Sequence, residues 1–424
     1  MFIIYSFFYS LAIIVLFIPE YLKRPQGLRR IWLREKLGSL PEMDSSIWLH
    51  AVSVGEVNAA MQLIIKLRET YPETPVILST ITDTGRKVAS EKVPEGVTVV
   101  YLPFDLIHII KRAVGRVKPK VLIIIETELW PNILRYASAG NIPVLILNGR
   151  ISEKSSKGYR KISFFMKKVL SFVTIFSMQS SLDAERLKSI GADEEKVQVA
   201  GNFKFDTEIK RAMPSWAEGF RGSVIIAGST HKGEEELIVS AYLKNLENFP
   251  ELKLILAPRH PQRFREVSDL LSRMKIPFAR RSELVQAGIG PEEISSKVLL
   301  LDSVGELSFI YGIADIVLVG KSFTGTGGQN PLEAAFWGKP VICGLHMENF
   351  PFMKEFYAEG AAFEVEPDFL AEKIGYLLAY PEVGRETGEK ARAIYERKSG
   401  AVDKAMKLIE TVMRKGIEAG ESVF

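Results

Sequence analysis

Ile316–Gly344, IVLVGKSFTGTGGQNPLEAAFWGKPVICG, decides the fold. Ile316–Val319 is an unbroken apolar run, the signature of a parallel strand covered on both faces. Gly320, Gly325, Gly327 and Gly328 follow, and glycine lets the backbone approach a ligand closely. Pro331 suits the first turn of a helix, and Glu333 lies near the helix start, where the dipole accepts a carboxylate. Gly338-Lys339-Pro340 stops that helix, and Val341-Ile342-Cys343 starts the next strand. A nucleotide phosphate fits open amides at such a helix start, with its ribose reaching Glu333. An ordinary strand–loop–helix turn uses the same residues, and this stretch alone serves both readings.

Working outward, the same alternation recurs on both sides. Upstream come strands at Ser223–Ala227, Lys253–Ala257 and Lys297–Leu301, with a helix opening at Glu234. Earlier still, strands at Ser46–Ser53, Pro75–Ser79, Thr98–Tyr101, Val121–Ile125, Pro143–Asn148, Val173–Ser177 and Val197–Ala200 alternate with helices such as Val57–Thr70. Strands alternating with helices mean a parallel, doubly wound sheet. The alternation pauses around Ala212–Ser215, which reads as a linker. The expected class is therefore α/β, with two Rossmann-like domains at 20–211 and 216–400 facing a central cleft. Residues 1–19 form a separate N-terminal segment, and 401–424 a C-terminal helix.

A chain of 424 residues has room for two cores. A net charge of +4 does not argue for a nucleic-acid partner. The single cysteine, Cys343, excludes intramolecular disulfides and thiolate metal clusters. His50, His108, His231, His260 and His346 show no metal-ligand spacing, so no zinc site is expected.

The N-terminus departs from this soluble pattern. Met1–Pro19, MFIIYSFFYSLAIIVLFIP, has no charged side chain and is about one bilayer long as a helix. It lacks the basic start and small-residue cleavage site of a secretory signal. Lys23, Arg24, Arg29, Arg30, Arg34 and Lys36 follow it, so the positive-inside rule places the rest in the cytoplasm. Those cations also suit an anionic lipid surface. The alternative is an apolar helix packed on the protein itself.

Ligands of doubly wound sheets bind beyond the carboxyl ends of strands, and polar clusters fall there in both halves. Ser53, Gly55 and Glu56 sit at a strand-to-helix turn able to hold an anion or sugar oxygens. Glu126 and Glu128 close another strand, as sugar contacts, acid–base groups or helix caps. Gly228-Ser229-Thr230 with Glu234 reads as a phosphate cradle or a capping box. Arg259 and His260 suit a phosphate or carboxylate, with Arg263 one turn on and Lys204 and Lys321 adding positive charge. No DxD element closes a strand, so nothing requires a divalent metal. Glu35, between Arg34 and Lys36, is either a proton acceptor beside the membrane or a surface charge.

The order of these pieces is more specific than any one of them. HAVSVGEVNAA, ETELWPN, NGRIS, GNFKFD, GSTHKGEE, APRHP, GELSFIYGIAD and GGQNPLEAA together resemble the Kdo (3-deoxy-D-manno-octulosonic acid) transferases of lipopolysaccharide synthesis, nearly end to end. The resemblance implies a two-domain GT-B glycosyltransferase at the cytoplasmic face of the inner membrane, single-pass or monotopic. It implies CMP-Kdo as donor, inversion at the anomeric carbon, no metal or other cofactor, and the lipid A precursor (lipid IVA) as acceptor. The family's short motif around an essential glutamate matches Arg34-Glu35-Lys36-Leu37-Gly38, with Lys where Arg is commoner, which makes Glu35 the general base. The donor then falls to Gly228, Ser229, Thr230, Arg259, His260, Lys321, Gly328, Asn330 and Glu333. Acceptor or sugar contacts fall to Ser53, Gly55, Glu56, Glu126, Glu128, Arg150 and Lys204. The competing readings are a GT-B enzyme using a UDP-sugar on a lipid, and a membrane-tethered nucleotide-binding protein without catalysis.

Overall fold

The structure is a computed structural model and describes residues 1–207, 209, 213, 214, 216, 217, 220, 222–287 and 296–421. Ala212 and Ser215 of the expected linker lie outside the described residues. The chain divides into two compact units, one of residues 1–207 with those from 398 onward, the other of residues 208–397.

The first unit begins with helices α1 (Phe2–Leu22) and α2 (Gln26–Lys36). Alternation follows as β1 (Ser46–His50), α3 (Val54–Thr70), β2 (Val76–Thr80), α4 (Asp83–Lys92), β3 (Val97–Tyr101) and α5 (Ile107–Val117). It continues through β4 (Pro119–Ile125), α6 (Pro131–Ala139), β5 (Val144–Gly149), α7 (Glu153–Arg160), α8 (Ser163–Ser171), β6 (Ile175–Met178), α9 (Ser181–Ser189) and β7 (Val197–Val199). The strands form one sheet in the order β3-β2-β1-β4-β5-β6-β7, with every pairing parallel. The chain leaves β1 toward one edge and returns at β4, which puts the switch of winding between β1 and β4.

The apolar runs build this sheet because both of its faces are covered. Leu122 and Ile124 of β4 enter the core on one face, and Val121, Ile123 and Ile125 the core on the other. Successive side chains of a strand point to opposite faces, so a strand covered on both sides must be apolar throughout. Each such Leu, Ile or Val contributes about 1.5–3 kcal/mol by its burial.

The second unit contains β8 (Val224–Thr230), α10 (Glu234–Leu246), β9 (Lys253–Pro258), α11 (Phe264–Arg273), β10 (Phe278–Arg280), α12 (Arg281–Ala287) and β11 (Val298–Leu300). It goes on with α13 (Leu307–Ile310), β12 (Ile316–Val319), α14 (Leu332–Phe336), β13 (Val341–Cys343), α15 (Met353–Ala358), β14 (Phe363–Glu364), α16 (Leu370–Ala379) and α17 (Pro381–Lys398). Its order, β10-β11-β9-β8-β12-β13-β14, is again parallel, with the switch between β8 and β12.

The structure differs from the sequence reading in three places. Helix α18 (Ala401–Glu421) packs on the first sheet, its Ala401, Val402, Ala405, Met406, Ile409, Val412 and Met413 joining the core of β1, β4 and α3. Asp206 fixes its start by accepting from the amides of Gly400 and, at 2.7 Å, Val402. Helix α3 begins at Val54, earlier than Val57, because Ser53 is its N-cap. The edge strands β10 and β14, of three and two residues, carry too little pattern to be read from the sequence.

Candidate functional site

In the second unit the polar strand ends gather around the β8–β12 switch. Glu234, fully buried at the start of α10, accepts from the amides of His231 (2.8 Å), Lys321 (2.6 Å) and Phe323 (3.0 Å). One carboxylate thus pins the turn after β8 to the turn after β12. Glu235 accepts from Thr230 Oγ1 at 2.8 Å and from both Arg263 terminal nitrogens at 2.6 and 3.0 Å. The Thr230 hydroxyl and the Arg263 fork are therefore spent on holding the turn, which is the capping-type reading of this segment. Ser229 and Lys321 both have positive φ, 56° and 58°, as these tight turns demand. At Gly228 a Cβ would stand 1.8 Å from the Tyr311 hydroxyl, so only glycine fits.

Arg259 and His260, both exposed, follow β9. The His260 ring meets His231 edge-on at 5.2 Å, and Gln329 Nε2 lies 3.2 Å from His231 Nε2. Burial, then the neighbouring His260 and Lys321, push the His231 imidazole down from its usual range. Burial raises the Glu333 carboxyl, while Asn330 and Arg259 pull it back. Asn330 Oδ1 also accepts from the Leu332 amide at 3.2 Å at the start of α14. Arg259, Asn330 and Glu333 thus act on one another as a cation, an amide and a shielded carboxyl. Of the glycine-loop amides, Gly327 donates to Glu348 Oε2 at 2.6 Å and Gly328 to the Lys321 carbonyl at 3.2 Å. Those two stabilise the loop itself.

In the first unit Ser53, Gly55, Glu56, Glu126, Glu128, Arg150 and Lys204 come from the carboxyl ends of β1, β4 and β5 and the short turn Phe203–Asp206. Glu56 Oε2 accepts from the Val52 amide at 2.7 Å, and Oε1 from Ser53 Oγ at 3.1 Å. Burial, with the fields of Glu126 and Glu128, raises Glu56 to about 7 against those two hydrogen bonds. Glu126 has a φ of 59° and is raised by burial, partly offset by Arg150 and Lys204. Glu128 is raised by burial and by Glu126, and Lys204 is lowered by burial. Three carboxyls and two cations thus share one electrostatic field at the β1–β4 switch. Such a set offers several polar groups at once, and Glu56 within it changes its protonation near neutral pH.

Glu35 belongs to a different constellation, at the β3 edge. It is buried, and Arg86 donates to it from Nη1 (2.6 Å, to Oε2) and Nη2 (3.3 Å, to Oε1). The Tyr101 amide adds a bond to Oε2 at 2.8 Å. Tyr101 OH donates to Asp83 at 2.7 Å, and Asp83 pairs with Arg24 at 3.2 Å. Lys36 beside it is pushed down to about 7 by burial and then by Arg24. His50, at the end of β1, is lowered to about 4 by burial, and its Nε2 has no hydrogen-bond partner.

Sequence reasoning passed over Arg86, Tyr311, Gln329 and Glu348. Arg86 is 51 positions from Glu35, and only the β2–β3 pairing that sets α4 brings it there. Gln329 lay inside the quoted stretch, next to Asn330, and was legible as a second amide there.

Residues 31–207 match the family described as 3-Deoxy-D-manno-octulosonic-acid transferase (kdotransferase). The chain is 35% identical over 382 residues to a 3-deoxy-D-manno-octulosonic acid transferase of Haemophilus influenzae, covering 88% of each protein. It is 32% identical to one of Bordetella pertussis, covering 86% of each. The fold is similar to a solved glycosyltransferase from Rickettsia africae, with a TM-score of 0.56 and 14% identity over 88% of this chain and 99% of that one.

Proposed function

Because the chain belongs to the 3-deoxy-D-manno-octulosonic acid (Kdo) transferases, GT-B glycosyltransferases of lipopolysaccharide synthesis, we propose that it moves Kdo from CMP-Kdo to lipid IVA, with inversion, without a divalent metal, at the cytoplasmic face of the inner membrane. What supports the donor assignment is the placement of Arg259 after β9 and of Asn330 and Glu333 at the start of α14, where the Arg259 charge and Asn330 act on the buried Glu333 carboxyl. Arg259 compensates the charge that the CMP phosphate gains as it leaves, and His260 and Lys321 add donors. Glu333, shielded and held by Asn330, takes the ribose hydroxyls. In the first unit Glu56, Glu126 and Glu128 take acceptor or sugar hydroxyls, and Arg150 and Lys204 their anionic groups.

The attacking acceptor oxygen bonds to the anomeric carbon of Kdo as the bond from that carbon to the CMP phosphate oxygen breaks. The hydroxyl proton passes to Glu35 and CMP leaves with the electron pair. Arg86 is then a positioning residue, aligning the carboxylate that takes the proton. General-base transfer of this kind is worth roughly a hundredfold or more.

The test is mass spectrometry of lipid IVA incubated with the protein and CMP-Kdo, with and without EDTA. The expected product gains Kdo mass in both, and the number of additions is read directly. No gain with CMP-Kdo, or gain with UDP-GlcNAc instead, overturns the donor. Loss of turnover in EDTA overturns the metal-free mechanism.

A further inference from the structure

Helix α1 is long and apolar enough to cross a membrane, yet its two faces have opposite partners. Its half-buried positions are Phe2, Tyr5, Ser6, Tyr9, Ser10, Ile13, Phe17, Glu20 and Tyr21, one continuous stripe at helical spacing. That stripe holds nearly all the polar side chains of the helix. The opposite stripe, with Ile4, Phe8, Leu11, Val15 and Ile18, is apolar and exposed.

The polar stripe is fastened to the first unit along the whole helix. At the amino end Phe2 packs on Phe165 at 5.3 Å and Phe172 at 5.8 Å, with the Arg135 guanidinium 5.1 Å from its ring. In the middle Tyr5 OH donates to buried Asp105 at 2.9 Å, Asn132 Nδ2 donates to Ser6 Oγ at 3.0 Å, and Tyr9 meets Trp130 at 6.2 Å. At the carboxyl end Phe17 and Tyr21 lie 5.9 and 6.3 Å from Trp32 of α2. A helix standing across a bilayer has only one end at the water-facing domain. Here both ends and the middle rest on one globular unit, and lifting the helix would cost buried Asp105 its bond from Tyr5 and Asn132 its bond to Ser6.

We propose that α1 does not span the membrane but lies in the plane of one leaflet, its polar stripe on the protein and its apolar stripe in the acyl boundary of an anionic bilayer. Charge complementarity selects a lipid surface as the occupant. Past the helix, α2 exposes Arg30, Ile31, Arg34 and Leu37, a basic and apolar face of the interfacial kind. Arg34 and Arg112 line a surface cavity of about 440 Å³ whose third arginine, Arg116, is held by Glu42 at 2.9 Å and by the Leu40 carbonyl, and the two other cations suit a phosphate headgroup. Phe164, next in sequence to Phe165, the partner of Phe2, is also exposed. This inference refines the membrane placement proposed above and is independent of the sugar chemistry.

The test places an environment-sensitive label, one protein at a time, at Ile4→Cys, Phe8→Cys, Leu11→Cys, Val15→Cys and Ile18→Cys in the full chain. These sites are exposed, and the native Cys343 is buried and silent. Proteins are mixed with vesicles of phosphatidylethanolamine and phosphatidylglycerol carrying shallow or deep spin-labelled lipids. The expected result is the same shallow depth for all five labels. A depth running from one interface at Ile18 through the bilayer centre near Leu11 overturns the in-plane placement while leaving membrane attachment intact. No quenching at any site overturns both. As a second measure, Phe8→Ser with Val15→Ser lowers vesicle partitioning by roughly a hundredfold, with transfer to detergent-dispersed acceptor unchanged; unchanged partitioning overturns the proposal.

Discussion

Glu35 and Glu56 are both carboxyls near a proposed acceptor, and their surroundings separate their roles. Glu35 is locked to Arg86 and the Tyr101 amide, whereas Glu56 is raised to about 7 by burial and like charge. Glu35→Gln is expected to lower kcat by about a hundredfold or more, measured as single-turnover transfer to lipid IVA. Glu56→Gln is expected to change the pH profile: kcat/KM of the wild type rises through about 7 as Glu56 loses its proton, and the variant lacks that step. If the step survives in Glu56→Gln, the group that titrates near 7 is not Glu56. Arg259→Ala is expected to weaken CMP-Kdo binding by roughly ten- to a hundredfold, the usual cost of one hydrogen bond to a charged group, read by calorimetry; unchanged affinity removes it from the donor site. Glu35 and Arg259 could be singled out as candidates because each sits in a short local motif. Arg86 and Tyr311 were not, because the sheet brings them in from distant sequence.

Helix α6 shows how one buried group couples elements. Asp105 accepts from the amides of Asn132 at 2.9 Å and Ile133 at 2.8 Å, capping the first turn of α6, and from Tyr5 OH of α1. Burial nevertheless raises its carboxyl to about 6, against these three hydrogen bonds. A folded-state pKa above the unfolded value of about 3.8 means that the folded chain binds the proton more tightly. The stabilising contribution is complete below pH 3.8 and is lost as pH rises through about 6, on the order of 3 kcal/mol in all. Denaturant melts of the wild type should show this fall between about pH 4 and 6, and Asp105→Asn should flatten it. An unchanged slope in the variant would assign the titration elsewhere. The strands were legible as elements because their apolar runs are continuous. The hub at Asp105 was not, since a lone aspartate after Leu102-Pro103-Phe104 reads as an ordinary loop residue. For α1 the sequence left two readings, spanning helix or helix packed on the protein, because hydropathy measures only how apolar a helix is. The stripe of Tyr5, Ser6, Tyr9 and Ser10 carries the information, and it acquires meaning only when Asp105 and Asn132 appear beneath it.

At the scale of the whole chain, the first unit is discontinuous in sequence. Its sheet is complete by Val199, yet its core is completed only by α18, some two hundred positions later. The sequence reading set 401–424 apart as a tail because an amphipathic helix does not announce which core it covers. Ala401, Val402, Ala405, Met406, Ile409, Val412 and Met413 are all buried against β1, β4 and α3. At about 25 cal/mol per Å² their combined burial is on the order of 10 kcal/mol, as large as the whole stability of a typical domain. Asp206 would also lose the α18 amides it binds. A chain ending at Arg397 is therefore expected to lose the fold of the first unit. The second unit has a core of its own, built from β8, β9, β11, β12 and β13 with α10, α11 and α16, and it should survive. Limited proteolysis of the truncated chain should release a resistant fragment within residues 208–397 and digest residues 1–207. The full chain should keep both. Protection of residues 1–207 without α18 would mean that the first sheet holds its helices unaided, and would reduce α18 to a surface strap.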